Sequence, residues 1–144
     1  MTVRDDESKR IFTRIFVIVL ALAVSAAVIL LLGITRVKPS FATSAHLIGH
    51  YTEKPVNTTV TSASDVRAIK GILAGWALRD CPACGFTGVV SITLTDGRKR
   101  ITFYPAFDGC HTFRIGETDR YMGVSDERWK DLNAILRKYG MDLP

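Results

Sequence analysis

Residues 15 to 34 read IFVIVLALAVSAAVILLLGI, and these twenty residues include no charged side chain. A helix of about twenty residues is about 30 Å long, which matches the hydrocarbon thickness of a bilayer. Fourteen of the twenty are Leu, Ile, Val or Phe, and each of these favours membrane insertion by roughly 0.3–0.6 kcal/mol. A helix that is apolar on every side needs a large protein to bury it, and this chain has only 144 residues. We therefore predict a transmembrane helix over residues 15–35, in a single-pass protein that contacts the lipid bilayer.

The basic residues on the two sides of this helix predict its orientation. Cytoplasmic flanks of membrane helices are enriched in Lys and Arg. Four such residues precede the apolar run and two follow it closely: Arg4, Lys9, Arg10 and Arg14, against Arg36 and Lys38. We therefore expect residues 1–14 to form a cytoplasmic tail and the C-terminal part to lie in the periplasm or outside the cell.

Two alternatives concern the fate of the apolar segment. Ser40-Phe41-Ala42 resembles a small-x-small cleavage site, but signal-peptide cores usually have about 7–15 apolar residues, so we favour an uncleaved signal-anchor. The pairs Ala21/Ser25 and Ala23/Ala27 have the small-xxx-small spacing that lets two helices approach closely. A weak homodimer through the transmembrane helix is therefore the expected self-association.

Residues 36–61 have no helical period and include Pro39 and Pro55, so we predict a solvated tether. Within it, Val56–Thr61 has the composition of a short edge strand. The folded part is expected over residues 62–144. It begins with a helix over Ala63–Arg79, capped by Ser62 and with its apolar residues on one face. That face includes Trp76, which we expect to be buried.

Further along the chain, the apolar residues recur at every second position. Four strands are predicted, over residues 88–94, 98–104, 111–115 and 120–124. Asp96-Gly97 is a hairpin signal, because both central positions of that turn type need positive φ. A closing helix that carries Trp129 follows Ser125 and ends at Gly140. The predicted fold is a small α+β domain, a four-stranded antiparallel meander flanked by two helices (α-β-β-β-β-α).

The three cysteines are the most informative candidates for chemistry. Cys81-Pro82-Ala83-Cys84 is followed by Cys110, and extracytoplasmic thiols are commonly oxidised. A disulfide from Cys110 to Cys81 or Cys84 closes a loop of about 27–30 residues, which stabilises a domain by roughly 3.5 kcal/mol. Either pairing leaves one cysteine over.

Two other interpretations of these cysteines stay open. Cys-Pro-x-Cys-Gly looks like the knuckle of a zinc ribbon, with Cys81, Cys84, Cys110 and His111 as the candidate ligands. The same Cys-Pro-x-Cys resembles the redox motif of glutaredoxins, although there the motif follows a strand and begins a helix. Here a predicted helix precedes it and a strand follows it.

The remaining residues predict no catalytic site and no cofactor. His46 and His50 lie in the predicted tether, and Asp108, Cys110 and His111 are too close in sequence for a typical nucleophile constellation. The net charge is +5, and the basic residues are interspersed with acidic ones, which disfavours nucleic-acid binding. The one tight basic cluster, Arg98-Lys99-Arg100, lies in a predicted solvated turn. We expect a non-catalytic binding, sensing or accessory domain with an unspecified protein partner. The alternatives are a thiol-redox or other enzyme that uses Cys81, Cys84 or Cys110, and a small zinc-binding domain.

Overall fold

The computed structural model describes residues 3–31, 33–50, 55–80 and 82–143. The chain divides into two compact units, Met1–Ile34 and Thr35–Pro144.

The first unit contains one long helix, α1 (Val3–Leu31), which includes charged residues upstream of the apolar run. Its segment Arg10–Ile29 has a mean hydropathy of 2.5 and is long and apolar enough to cross a membrane, by length and composition. Ser25 donates a hydrogen bond from its hydroxyl to the carbonyl of Ala21 at 2.8 Å. The hydroxyl is therefore satisfied within the helix.

The second unit contains one eight-stranded sheet and two helices, α2 (Ala63–Ile72) and α3 (Asp126–Arg137). The strands in chain order are β1 (Thr35–Val37), β2 (Ser44–Gly49), β3 (Val56–Val60), β4 (Gly75–Arg79), β5 (Val90–Thr95), β6 (Arg100–Pro105), β7 (Thr112–Ile115) and β8 (Arg120–Gly123). Their order across the sheet is β1-β4-β8-β7-β6-β5-β2-β3, and every pairing is antiparallel.

The prediction of a four-stranded meander was wrong. The four predicted strands correspond to β5, β6, β7 and β8, which are neighbours in the order predicted but form only the middle of the sheet. The hairpin of β2 and β3 extends the sheet beside β5, and β4 and β1 extend it beside β8.

The segment predicted as a solvated tether therefore contributes three strands. In β2 the side chains of Ala45 and Leu47 are fully buried, and they alternate with half-buried Ser44, His46 and Ile48. This alternation is short and includes a polar residue at its centre, so it is a weak local signal. Pairing with β5 and β3 on its two sides stabilises the strand, and this pairing is not visible in the local sequence.

The helix predicted over Ala63–Arg79 was also too long. Helix α2 ends at Ile72, and residues 75–79 form β4 between β1 and β8. Gly71 and Gly75 each weaken a helix by about 1 kcal/mol relative to alanine, whereas the strand has hydrogen-bonded neighbours on both sides. As a result Trp76, which we predicted to be buried, is 62% exposed.

The hydrophobic core lies between one face of the sheet and the two helices, which contact each other. Phe103 and Phe113 from the sheet, Ile69 from α2 and Leu132 from α3 are fully buried. The predicted start of the last helix is confirmed, because the Ser125 hydroxyl accepts a hydrogen bond from the backbone N–H of Arg128. Helices α2 and α3 thus cover one side of the sheet, which we call the covered face.

Candidate functional site

The opposite side of the sheet, which we call the open face, carries a different set of side chains. Residues paired across an antiparallel sheet point to the same face, so the strand register assigns the members. They include Arg36, Trp76, Leu78, Tyr121, Arg114, Tyr104, Thr102, Arg100, Thr93, His46, Ile48 and Asn57. Most of these side chains are polar, aromatic or basic, whereas those of the covered face are aliphatic and aromatic.

Two arginines of the open face lie over aromatic rings. The guanidinium of Arg36 is 5.8 Å from the ring centre of Trp76, and that of Arg114 is 4.9 Å from the ring centre of Tyr104. Such contacts contribute about 0.5–1 kcal/mol at exposed sites. They also hold planar cations against the surface in defined positions.

A groove of about 620 Å³ lies on the open face where β2, β5, β6 and the turn after β7 meet. A volume of that order lies within the range of about 300–1,000 Å³ found for small-molecule sites. Its polar lining residues are His46, Thr93, Arg100, Thr102, Tyr104, Glu117 and Thr118.

Most polar groups of the groove are held by neighbours. The hydroxyls of Thr93 and Thr102 are 2.9 Å apart, and His46 Nε2 is 2.8 Å from Asn57 Oδ1. Burial, and next a hydrogen bond to Glu117, raise the pKa of the Tyr104 phenol. These contacts fix the positions of the groups that line the groove.

Of the two charged residues that line the groove, Glu117 has an ion-pair partner in the described residues and Arg100 has none. Glu117 has an ion pair with Arg114, with Nη2 and Oε2 3.4 Å apart. Arg100 has no ion-pair partner within residues 3–31, 33–50, 55–80 and 82–143, and its side chain is exposed. An uncompensated guanidinium at the groove favours an anionic ligand, since it offers planar, bidentate hydrogen bonding to a carboxylate or phosphate.

A second cluster joins Cys84 and Cys110 with Asp108. The two sulfur atoms and one carboxylate oxygen all lie within 4.8 Å of one another, and both thiols are free and half-buried. These three residues could hold a divalent metal ion, but a structural zinc site usually needs four protein ligands.

Electrostatics keeps one of these thiols protonated. A hydrogen bond with Cys84, then one with Asp108, raise the pKa of the Cys110 thiol to about 12. The hydrogen bond from Cys110 and the backbone N–H of Gly85 lower the pKa of Asp108 in turn. A protonated thiol is a poor nucleophile, because the thiolate is the reactive form.

The other candidate residues are placed as follows. Cys81 lies outside the described residues. His111 is directed to α3, with Nδ1 2.9 Å from Asp126 Oδ1 and its ring stacked on Trp129 at 4.8 Å. It is not a member of the cluster that Cys84, Asp108 and Cys110 form. The nucleophile constellation of Asp108, Cys110 and His111 is therefore only partly brought together.

The two histidines predicted in the tether are instead part of the sheet region. His46 lies in β2 and lines the groove, while His50 follows the strand and is exposed. The groove residues Thr93, Thr102, Tyr104 and Glu117 were not predicted from the sequence. One signal was present, because Arg100, Thr102 and Tyr104 alternate at the period that places them on one face of a strand.

No protein family model, curated protein or solved structure matches this chain. The groove and the thiol cluster are therefore the features from which a function can be inferred.

Proposed function

We propose that this protein is a membrane-anchored, non-catalytic binding module whose groove binds a hydroxyl-rich anion, such as an acidic saccharide. The observation that carries the proposal is the exposed guanidinium of Arg100, which has no ion-pair partner in the described part of the chain, beside a groove whose lining includes four hydroxyl groups. Both helices cover the other face of the sheet, so the open face is the side left for a ligand.

The chemistry of the groove favours this ligand class. Arg98 and Lys99 precede Arg100 in the turn after β5, and together they attract an anion. The carboxylate of Asp96 is occupied by the backbone N–H groups of Arg98 and Lys99, at 2.8 and 2.6 Å. Threonine hydroxyls both donate and accept hydrogen bonds, which suits the hydroxyl groups of a saccharide.

The placement of the module is part of the proposal. Helix α1 serves as an uncleaved signal-anchor, with residues 1–14 in the cytoplasm and the sheet in the periplasm or outside the cell. The support for this orientation is the excess of basic residues before the apolar run. Displayed in that way, the open face is available to soluble or surface-bound ligands.

A thiol-redox enzyme is the alternative function, which the neighbouring thiols of Cys84 and Cys110 suggest. Redox cysteines commonly have a lowered pKa, whereas that of Cys110 is raised to about 12. The thiol cluster therefore supports a structural role better than a catalytic one.

Binding by the full-length protein in nanodiscs of zwitterionic lipid tests the proposal. Titration calorimetry compares an oligogalacturonate with a neutral maltooligosaccharide of equal length. Replacing Arg100 by glutamine removes a charge-assisted hydrogen bond, worth about 1.5–3 kcal/mol, so affinity for the acidic oligosaccharide should fall by about 10- to 150-fold.

Arg67→Gln is the matched control, since Arg67 is exposed on α2, away from the open face. We expect this variant to bind as the wild type does, and thermal unfolding verifies that both variants are folded. The absence of binding at millimolar ligand, equal binding of the neutral oligosaccharide, or an equal loss in both variants would overturn the proposal.

A further inference from the structure

We propose that Cys84 and Cys110 form an intramolecular disulfide, and that Cys81 is the odd thiol. The assignment rests on the loop geometry around the two cysteines. It is independent of the ligand proposed for the groove.

The two loops that carry these cysteines are held side by side by backbone contacts. Phe86 and Ala106 form an isolated β-bridge, and the N–H of Phe107 donates to the carbonyl of Gly85 at 2.8 Å. These bonds lie within a few residues of Cys84 and Cys110. The two sulfur atoms consequently lie within 4.8 Å while both thiols are free, so small side-chain rotations can bring them to bonding distance.

Asp108 is better explained as a loop-fixing residue than as a metal ligand. Its Oδ2 accepts the backbone N–H of Gly85 at 3.0 Å, and its Oδ1 accepts that of Cys110 at 3.3 Å. One carboxylate thus joins both loops, and both of its oxygens are engaged. With Asp108 explained in this way, the described cluster has three possible ligand atoms, one fewer than a structural zinc site usually needs, and two of them are thiols that can form a disulfide.

Formation of the bond needs an oxidant, for which we name a disulfide such as oxidised glutathione or a thiol oxidoreductase. The thiolate of one cysteine attacks the oxidant's disulfide, giving a mixed disulfide and releasing one reduced thiol. The second cysteine, deprotonated, then attacks the protein sulfur of the mixed disulfide and releases the second thiol. The protein loses two electrons and two protons, and the oxidant gains them.

The test equilibrates the detergent-solubilised full-length protein with glutathione buffers of defined ratio, followed by thiol blocking, trypsin digestion and mass spectrometry. Cleavage after Arg79, Arg98, Arg100 and Arg114 places Cys81 and Cys84 in one peptide and Cys110 in another. We expect these two peptides to be cross-linked in the wild type. Electron-transfer fragmentation between Cys81 and Cys84 should assign the bond to Cys84.

Single variants supply the controls. Cys81→Ser should retain the cross-link with an unchanged equilibrium constant. In Cys84→Ser the constant should fall at least tenfold, about 30 mV for a two-electron couple, and in Cys110→Ser no cross-link between the peptides should form.

Three results would overturn the assignment. The first is fragmentation that assigns the bond to Cys81, or a cross-link lost in Cys81→Ser but kept in Cys84→Ser. The second is a bond between Cys81 and Cys84. The third is a protein that keeps three reduced thiols in oxidising buffer, with or without one equivalent of zinc measured by atomic emission. Because fragmentation is done on the wild type, the pairing can be decided even if a variant does not fold.

Discussion

Replacing Phe113 with alanine removes a buried aromatic contact between β7 and α3. Phe113 is fully buried, and its ring centre lies 5.2 Å from that of Trp129 and 6.2 Å from that of Phe103. Truncating a buried Phe to Ala costs about 3–5 kcal/mol. Loss of the aromatic contacts, each worth about 0.5–1.5 kcal/mol, puts the expected cost in the upper half of that range, at about 4 kcal/mol.

Urea unfolding of the detergent-solubilised chain measures this loss. Trp76→Phe is made in every protein compared, so that buried Trp129 is the sole tryptophan and its fluorescence follows the sheet unit. With a urea m-value of about 1.5–2 kcal/mol/M, the midpoint should fall by about 2–3 M. A reductant is present throughout, so that a disulfide does not contribute.

Thr93→Ala is the control from the open face. Thr93 is half-buried and its hydroxyl contacts that of Thr102, so we expect a loss of at most about 1 kcal/mol. Equal losses in the two variants, or a loss below about 1 kcal/mol for Phe113→Ala, would refute the division of the sheet into a covered and an open face.

Three further predictions concern the helices and their ends. Hydrogen bonds from the Tyr139 hydroxyl and, next in size, the Lys138 ammonium lower the pKa of Asp65 below 3.8. The ionised Asp65 carboxylate therefore stabilises the fold above pH 3.8, and this stabilisation is lost as the pH falls through the folded-state pKa. Asp65→Asn should therefore lower the urea midpoint at pH 7, and the midpoint of this variant should fall less steeply below pH 4 than that of the wild type. The same dependence of the midpoint on pH in both proteins would refute this. Gly140 has φ +78°, so Gly140→Ala should cost about 1–2 kcal/mol of unfolding free energy through backbone strain, and a neutral change would show that the backbone relaxes. Ser125→Ala removes the cap of α3 and should cost about 1 kcal/mol, measured by the same denaturation; a rise in stability would contradict the cap.

The predictions that succeeded depend on local signals. Apolar and polar residues alternate in β5 and β7, and Ser125 begins α3 as a capping residue. The hairpin after β5 was predicted correctly, although its details differ. Of Asp96 and Gly97, only Gly97 has positive φ, at +87°. The reason is that the loop is longer than a two-residue turn, since Thr95 pairs with Arg100.

The predictions that failed depend on contacts between distant segments. Strand β2 is stabilised by β5, more than forty residues later, and β4 by its position between β1 and β8. Short segments with mixed composition take the structure that their neighbours impose. Local periodicity therefore predicted a tether and a helix for these segments, where the structure has strands.

The candidate sites were only partly predictable for the same reason. The groove exists because His46 of β2 lies beside Thr93 of β5, and that pairing is non-local. The proximity of Cys84 and Cys110 arises from the bridge between Phe86 and Ala106. The sequence indicated which cysteines to consider, but the spacing alone could not choose between Cys81 and Cys84.

We propose that one helix crosses the membrane and that the sheet unit lies outside the cytoplasm, and the other proposals depend on this placement. A small, membrane-impermeant amine reagent tests it on intact cells that express the full-length chain, with peptide mass spectrometry as the readout. We predict that the exposed Lys99 and Lys130 are labelled on intact cells, and that Lys9 is labelled only after permeabilisation. Labelling of Lys9 with protection of Lys99 and Lys130 on intact cells would contradict the orientation. Labelling of all three only after permeabilisation would contradict the display of the sheet unit outside.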